Sequence, residues 1–121
     1  MLKTDVFVYV AGPYSGGDTI INIRKAIQEC NALLHAGYTP YCPHLTGFWH
    51  LVCPRIYEDW LEFDIRWLRK CNVLLRMSGA SSGADKEVLV ATALHIPVVN
   101  TIRQLERYYE LHLKNKEEAL L

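Results

Sequence analysis

The sequence predicts a small doubly wound α/β domain, with a parallel four-stranded sheet and helices on both faces. Short apolar runs rich in β-branched residues alternate with longer segments of helical periodicity, and glycine, proline and serine separate them. An alternating order of strands and helices requires a parallel sheet. With 121 residues the chain has the length of one domain, which we expect to span residues 1–121.

The first part of the chain predicts two strands and one helix. Residues 5–10 are apolar and end at a Gly-Pro pair, which predicts a buried strand followed by a loop. Asp18 can cap the helix that follows, and Gly37 can end it. Residues 38–41 predict a short second strand, and residues 42–54, with two prolines and a glycine, predict a long loop. The predicted apolar stripe of the helix consists of Ile20, Ile23, Ala26, Ile27, Cys30, Leu33 and Leu34.

The second part of the chain predicts two further strands and three further helices. Each strand is a short apolar run, and each helix has apolar positions three and four residues apart. The loop between the first of these strands and its helix, residues 78–83, consists only of serine, glycine and alanine. The predicted elements are a helix over 55–71, a strand over 72–77, a helix over 84–95, a strand over 96–99 and a final helix over 102–120.

The predicted topology places two loops together. Right-handed crossovers favour the strand order 2-1-3-4, the flavodoxin-like or Rossmann-like arrangement in which strand 1 lies between strands 2 and 3. The chain then leaves strands 1 and 3 in opposite directions, and ligands of such folds bind in the crevice between the following loops. Here those loops are residues 12–17 and 78–83, both rich in glycine and serine.

Composition excludes several function classes. Lysine and arginine number 13 and aspartate and glutamate 13, so the net charge is zero, which argues against a partner such as polymeric nucleic acid. The uncharged run over 88–102 is shorter than the roughly 20 residues of a membrane span. Four cysteines without a CxxC pair indicate reduced thiols. We therefore expect a soluble, cytoplasmic protein that does not bind membranes.

Two carboxylates interrupt apolar helix faces. Asp64 lies between Trp60 and Trp67 in the stripe of the second long helix, so its side chain points toward the sheet. Such an aspartate either serves chemistry or bonds a backbone amide or a nearby arginine such as Arg66 or Arg69. These alternatives remain open on the sequence.

Glu87 is the second carboxylate, and it falls in the first turn of the helix predicted after residue 83. It either stabilises the helix dipole or presents an ionised carboxylate to the crevice. Tyr9, near the end of strand 1, either packs in the core or reaches one of the two carboxylates with its phenol. Two carboxylates that meet in a crevice are typical of enzymes that cleave a bond at an anomeric carbon.

Several segments resemble the nucleoside 2-deoxyribosyltransferase superfamily. Val-Tyr-Val-Ala-Gly-Pro-Tyr over 8–14 looks like its opening strand and loop. Residues 64–68 and 71–74 are similar to its aspartate-bearing helix and third strand, and residues 81–87 and 95–98 to the loop and helix of its catalytic glutamate and its fourth strand. The compact chain resembles small phage or bacterial members, and the deoxynucleoside 5′-monophosphate N-glycosidases belong to the same superfamily.

The resemblance implies roles for three catalytic residues and a choice of substrate. Glu87 matches the nucleophile, Asp64 the aspartate near base and sugar, and Tyr9 the tyrosine that positions the glutamate. Six residues before Glu87, transferases acting on free nucleosides carry aspartate, whereas the monophosphate glycosidases carry serine, as this chain does at Ser81. We therefore expect N-glycosidic cleavage of 2′-deoxynucleoside 5′-monophosphates; a base-exchanging transferase and a non-catalytic nucleotide-binding module are the alternatives.

The resemblance and the crevice loops also predict the substrate-binding residues. Departures from the family pattern are Asp85 and Lys86, where small or apolar residues are usual. Members of the superfamily are dimers or larger, so a homo-oligomer is expected. The predicted substrate-binding residues are Gly12, Pro13, Tyr14, His44, Trp49, Ser81, Ser82 and Gly83.

Other cofactor and metal motifs are weak. There is neither a Walker motif nor a GxGxxG fingerprint, and no organic cofactor is expected. The spacing of Cys42, His44, His50 and Cys53 does not match a usual zinc site, so we expect no metal. Phe48, Trp49 and His50 instead offer aromatic faces on which a base could stack.

Overall fold

The computed structural model describes residues 2–110, and its four strands form one parallel sheet in the order β2-β1-β3-β4. The predicted fold class and strand order are therefore confirmed. None of the helices among these residues is long and apolar enough to cross a membrane. The elements are β1 (Phe7–Ala11), α1 (Thr19–His35), β2 (Thr39–Tyr41), α2 (Thr46–Val52), α3 (Tyr57–Leu68), β3 (Val73–Arg76), α4 (Ser82–Ala93), β4 (Val98–Val99) and α5, of which residues 102–110 are described.

β1 is central and divides the interior into two parts. It pairs in parallel with β2 on one side and β3 on the other, so that Tyr9 stands opposite both Tyr41 and Leu74. Because successive side chains of a strand point to opposite faces, Val8 and Val10 enter one core and Tyr9 enters the other.

One face of the sheet, which we call the sealed face, is covered by α1 and α5. Asp18 caps α1 as predicted, accepting a hydrogen bond from the backbone N–H of Ile21 at 3.1 Å. The predicted final helix is present as far as residue 110, and residues 111–120 of that prediction lie outside the described range. The buried residues of the sealed face are Val6, Val8, Val10, Leu33, Tyr38, Val73, Leu75, Val99, Leu105 and Tyr109.

The other face, which we call the site face, is covered by α3 and α4. Small residues of α4 let this helix lie close to the sheet, and Leu68 of α3 is fully buried beside them. The buried residues of the site face are Tyr9, Ala11, Leu68, Cys71, Leu74, Ala84 and Ala91. Asp64 and Glu87 project from the same two helices, so both carboxylates belong to this face.

The prediction of a long loop over residues 42–54 is wrong. Residues Pro43–Leu45 form a 3-10 helix and Thr46–Val52 form α2. The two prolines lie at the boundaries of the helical segment: Pro43 occupies its first position, where the fixed φ of proline favours a helix start, and Pro54 follows its end.

The apolar stripe predicted for α1 is only partly buried. Ile23, Ala26 and Leu33 face the sheet, with Cys30 packed beside them, whereas Ile20, Ile27 and Leu34 are exposed. The apolar arc of this helix is wider than its contact with the sheet, and the residues that recur every seven positions lie on the outer edge of that arc.

Candidate active site

The centre of the site is a hydrogen bond between β1 and α4. Tyr9 is fully buried, and its phenol donates to Oε2 of Glu87. α4 begins at Ser82, two residues earlier than predicted, so Glu87 is the sixth residue of the helix and lies in its second turn. The helix-dipole role considered for a first-turn glutamate therefore loses most of its force, because that effect fades beyond the first turn.

Asp64 projects from the middle of α3 toward the same place. Its Oδ1 is buried and has no hydrogen-bond partner among residues 2–110, and none of the ion pairs in that range involves Arg66 or Arg69. Burial, followed by the negative charge of Glu87, raises the pKa of Asp64 from 3.8 to about 8. Asp64 therefore carries a proton at neutral pH.

The two carboxylates differ in their neighbours. Burial raises the pKa of Glu87 as well, but the hydrogen bond from Tyr9 and the positive charges of His44 and Arg76 oppose that rise. Only His44 opposes the rise in the pKa of Asp64. The pKa values of both carboxyls are raised by burial, but more neighbouring groups oppose the rise at Glu87 than at Asp64.

His44 connects this centre to the loop after β1. The ring is buried, and its Nε2 donates to the backbone carbonyl of Pro13 at 2.8 Å. Burial favours the neutral ring, but Cys42, the Pro13 carbonyl and the charge of Glu87 together raise the pKa of His44. Protonation of His44 is therefore favoured relative to a free imidazole.

Gly12, Pro13 and Tyr14 form the first crevice loop. A Cβ on Gly12 would lie 3.1 Å from Cβ of Met77, and one on Gly79, which has a φ of +111°, would lie 2.8 Å from Cγ of Pro13. The loops after β1 and β3 thus contact one another, as their position at the switch point of the sheet predicts.

Tyr14 links the first loop to α2. Its ring packs edge-on against that of His44, with the ring centroids 6.0 Å apart. Its hydroxyl lies close to Gly47 of α2, only 2.6 Å from the position that a Cβ on this glycine would occupy. The Asn22 side chain of α1 also fixes this loop, because it donates hydrogen bonds to the backbone carbonyls of Tyr14 and Gly16 at 2.9 and 2.7 Å.

The second crevice loop ends at the start of α4. The Ser81 hydroxyl caps this helix, accepting from the backbone N–H of Ala84 at 3.1 Å. Ser82 and Gly83 are the first two helical residues, so their amides have no carbonyl of the preceding turn to bond. Free amides and serine hydroxyls at a helix start can bind an anion.

A cavity of about 210 Å³ lies between the two loops and the start of α1. Tyr9, Asp64 and Glu87 do not line this cavity. Its position at the switch point and the ammonium of Lys25 make it suitable for a polar or anionic group. The lining residues are Pro13, Gly16, Asn22, Lys25, Met77, Ser78, Gly79 and Ala80.

Trp49 packs against α3, the helix that carries Asp64. Its ring packs edge-on against Trp60 at 5.3 Å and Phe63 at 5.5 Å, and about half of the residue is exposed. No hydrogen bond or ring contact in the described part of the chain joins it to Tyr9. The structure therefore brings seven of the eight predicted binding residues onto or against the crevice loops, and Trp49 onto α3.

The four residues considered for zinc do not converge. No group of three or more histidine, cysteine, aspartate or glutamate side chains within residues 2–110 could hold a metal ion. His50 is turned toward α3, where its Nδ1 accepts from the indole N–H of Trp60 at 2.8 Å.

Sequence reasoning missed Arg76, the last residue of β3. Its guanidinium contacts the second crevice loop and Asp85 of α4, and its charge acts on Glu87. The feature of the sequence that could have identified Arg76 is a single arginine at the end of an otherwise apolar strand. Asp85 and Lys86, the two departures noted in the sequence, also have partners: Arg76 for the first and the ring of Tyr57, 5.6 Å away, for the second.

Comparison with known proteins identifies the family. The model of a family described as a domain of unknown function, DUF7768, matches residues 6–101. The chain belongs to this family. No curated protein matches this member of the family.

A solved structure shares the fold of this DUF7768 member. It is a 2-deoxyribosyltransferase from the psychrotolerant bacterium Bacillus psychrosaccharolyticus, described as a biocatalyst for the synthesis of nucleosides. The TM-score is 0.54 at 19% sequence identity, and the match covers 77% of this chain and 69% of that one. At this identity the likeness shows the fold, and the order of strands and helices agrees with it.

Proposed function

We propose that the protein cleaves the N-glycosidic bond of 2′-deoxynucleoside 5′-monophosphates, with Glu87 as nucleophile. The observation that carries the proposal is the buried Tyr9–Glu87 hydrogen bond next to Asp64, whose pKa is raised to about 8. One ionisable carboxylate and one proton donor are the groups that glycosidic cleavage requires. The fold shared with a 2-deoxyribosyltransferase supports the same chemistry.

In the first step the Glu87 carboxylate attacks C1′ of the sugar from the face opposite the base. The new C1′–O bond forms as the C1′–N bond breaks, and the electron pair of that bond leaves with the base. Asp64, protonated at neutral pH, donates its proton to the departing base. The phenol of Tyr9 orients Glu87 and stabilises its ionised form.

In the second step a water molecule attacks the glycosyl ester at C1′. The Asp64 carboxylate accepts the proton of this water, and the ester bond to Glu87 breaks with its electron pair returning to the carboxylate. The products are the free base and 2-deoxyribose 5-phosphate. These steps use the chain's own residues and require neither a metal ion nor an organic cofactor.

The preference for a monophosphate rests on the second loop and the cavity beside it. Ser81 stands six residues before Glu87, where a carboxylate would repel a phosphate dianion. The amides of Ser82 and Gly83 at the start of α4 favour an anion, and so does the ammonium of Lys25 in the cavity between the two loops. The other predicted contacts, Gly12, Pro13, Tyr14, His44 and Trp49, are proposed to surround the sugar and the base.

The test is a chromatographic assay of free base. Wild type and Glu87→Gln are incubated with the four deoxynucleoside monophosphates and, separately, with the four deoxynucleosides. We expect release from monophosphates by wild type and a loss of at least about 10³-fold in Glu87→Gln, the scale seen when a nucleophile is removed. Glu87→Gln that stays folded and fully active would contradict the proposal.

The second candidate is a 2-deoxyribosyltransferase, favoured by the fold of the bacterial enzyme described above. The same two carboxylates would then pass the deoxyribosyl group to a second base instead of water. Adding a different free base to each reaction distinguishes the two, because a transferase forms a new nucleoside. Tight nucleotide binding without base release would instead identify a non-catalytic binding module.

Three broader expectations stay with this proposal: a single domain over residues 1–121, action in the cytoplasm and a homo-oligomeric assembly. Leu51, Val52 and Ile56, at and beyond the end of α2, are largely exposed, and a second copy of the chain would cover them. Sedimentation velocity of wild type and Val52→Ser tests the assembly. A wild-type protein that sediments as a monomer at all concentrations would contradict the expected homo-oligomer.

A further inference from the structure

We infer that Arg76 is a positioning residue for Glu87, holding the loop between β3 and α4 in place and adding a positive charge to the face of the sheet on which that carboxylate lies. The inference rests on the proposed catalytic role of Glu87. It deepens that role by naming the group on which the placement and charge of the nucleophile depend.

The guanidinium of Arg76 joins three parts of the chain. It donates to the backbone carbonyl of Met77, to that of Gly79 at 3.0 Å and to Oδ1 of Asp85 at 3.1 Å. These acceptors lie at the end of β3, in the crevice loop and in α4. A planar guanidinium with five donors can serve all of them at once, whereas an ammonium on a flexible stem cannot hold the same fork.

These contacts set the position of Glu87. Asp85 precedes Glu87 by two residues on α4, and Ser81, which caps this helix, follows Gly79 by two residues. Arg76 therefore ties the start of α4 to the end of the strand that pairs with β1. Since β1 carries Tyr9, this tie keeps the phenol and the carboxylate in register.

The ion pair with Asp85 does not by itself explain the burial of Arg76. The side chain of Arg76 is 13% exposed, whereas that of Asp85 is 71% exposed. An ion pair with so exposed a carboxylate is screened by solvent and contributes little, while burying the guanidinium carries a desolvation cost. The carbonyls of Met77 and Gly79 supply the remaining acceptors, so the main contact of the guanidinium is with the loop that leads to α4.

Glu87 is surrounded by ionisable groups from every adjoining element. Tyr9 of β1 donates a hydrogen bond, Asp64 of α3 carries a like charge when ionised, and His44 and Arg76 lower the pKa of Glu87 against the effect of burial. On its own helix, Asp85 is paired with Arg76. His44 loses its charge on deprotonation, whereas arginine stays protonated in proteins, so Arg76 is the permanent cation.

The test compares two variants of Arg76 that each remove one of its two properties. Arg76→Lys keeps the charge and loses the fork of donors; Arg76→Gln keeps amide donors and loses the charge. We expect Arg76→Lys to lower kcat by about 10- to 100-fold, as displaced catalytic groups do, with the acid limb of the kcat/KM profile unchanged. We expect Arg76→Gln to move that limb to higher pH. The matched control is Arg69→Gln, at an exposed arginine that caps the end of α3. We expect this substitution to leave kcat and the acid limb of the kcat/KM profile unchanged.

A substrate-free measurement separates this inference from the proposed function. Carboxyl ¹³C titration of Glu87, assigned with Glu87→Gln, reports its pKa in wild type and Arg76→Gln without any turnover. An unshifted Glu87 resonance midpoint in Arg76→Gln would overturn the charge role even if base release is observed. If wild type releases no base, the glycosidase proposal fails while the titration still decides the role of Arg76. If Arg76→Gln does not fold, hydrogen exchange of residues 77–85 in Arg76→Lys decides, and unchanged protection there overturns the positioning role.

Discussion

The sealed face and the site face are built on the same strands and filled in opposite ways. The sealed face holds aliphatic side chains and the two tyrosines Tyr38 and Tyr109, and the phenol of Tyr38 donates to the partly exposed Glu106. The site face holds small residues, Tyr9 and two carboxylates whose pKa values are both raised by burial. Alternate residues of β1 therefore belong to an apolar core on one face and to the proposed active site on the other.

This difference has an energetic consequence. Apolar burial stabilises the sealed face at about 25 cal/mol per Å² removed from water. On the site face the buried carboxylates oppose folding, because each charged form loses hydration. Substitutions on the sealed face should thus lower stability and keep activity, whereas polar substitutions on the site face should do the reverse.

The largest difference between the two faces is expected for substitutions of two neighbouring leucines of β3. Leu75→Ala on the sealed face should lower the free energy of unfolding by about 2–5 kcal/mol, because it leaves a cavity, while the folded enzyme keeps its kcat/KM. Leu74→Ala is the matched control on the site face, opposite Tyr9 in the sheet, and should lower both stability and activity. Urea unfolding and base release measure the two quantities, and an equal loss of activity in both variants would contradict the separation.

A smaller effect is expected from two buried tyrosines. Tyr9→Phe removes the hydrogen bond to Glu87, so the pKa of that carboxylate rises further and its fraction ionised at neutral pH falls. We expect base release to drop by about 10- to 100-fold and its acid limb to move to higher pH. Tyr38→Phe, which loses a hydrogen bond to Glu106 at 2.8 Å, should leave the profile in place. A profile of Tyr9→Phe that overlays wild type would show that the phenol does not act on Glu87.

The smallest effect is a pH dependence of stability at Asp64. Its pKa is raised from 3.8 to about 8 in the folded protein, so stability falls as pH rises through that interval, because the unfolded chain releases this proton while the folded protein keeps it. Asp64→Asn lacks this loss, so its stability relative to wild type should increase by about 1–3 kcal/mol between pH 5 and pH 8. Thermal unfolding at pH 5, 6.5 and 8 measures the trend. Asp59→Asn, which breaks an exposed ion pair with Arg55, is the control, and its stability should change with pH as that of wild type does. If the stability of Asp64→Asn also changed with pH as that of wild type does, Asp64 would not be buried with Glu87.

Much of the fold and part of the site could be predicted from the sequence because their signals are local. Apolar runs marked the strands, Asp18 marked the start of α1, and the strand order followed from the handedness of crossovers. Asp64 and Glu87 were visible as charges on apolar helix faces. A pattern with a period of two or 3.6 residues is set by neighbours in sequence, so reading it requires no knowledge of the rest of the chain.

The remaining features depend on contacts between distant residues. Tyr9 and Glu87 are 78 residues apart, and only the pairing of β1 with β3 and the packing of α4 bring them together. The raised pKa of Asp64 arises from burial and from Glu87, and the role of Arg76 arises from carbonyls that a loop turns toward it. Local sequence patterns were sufficient to identify the residues that can carry charge and the helix and strand faces that are apolar. Which of those charges are buried together depends on the three-dimensional packing, because desolvation and Coulomb energies depend on distance in space rather than on distance along the chain.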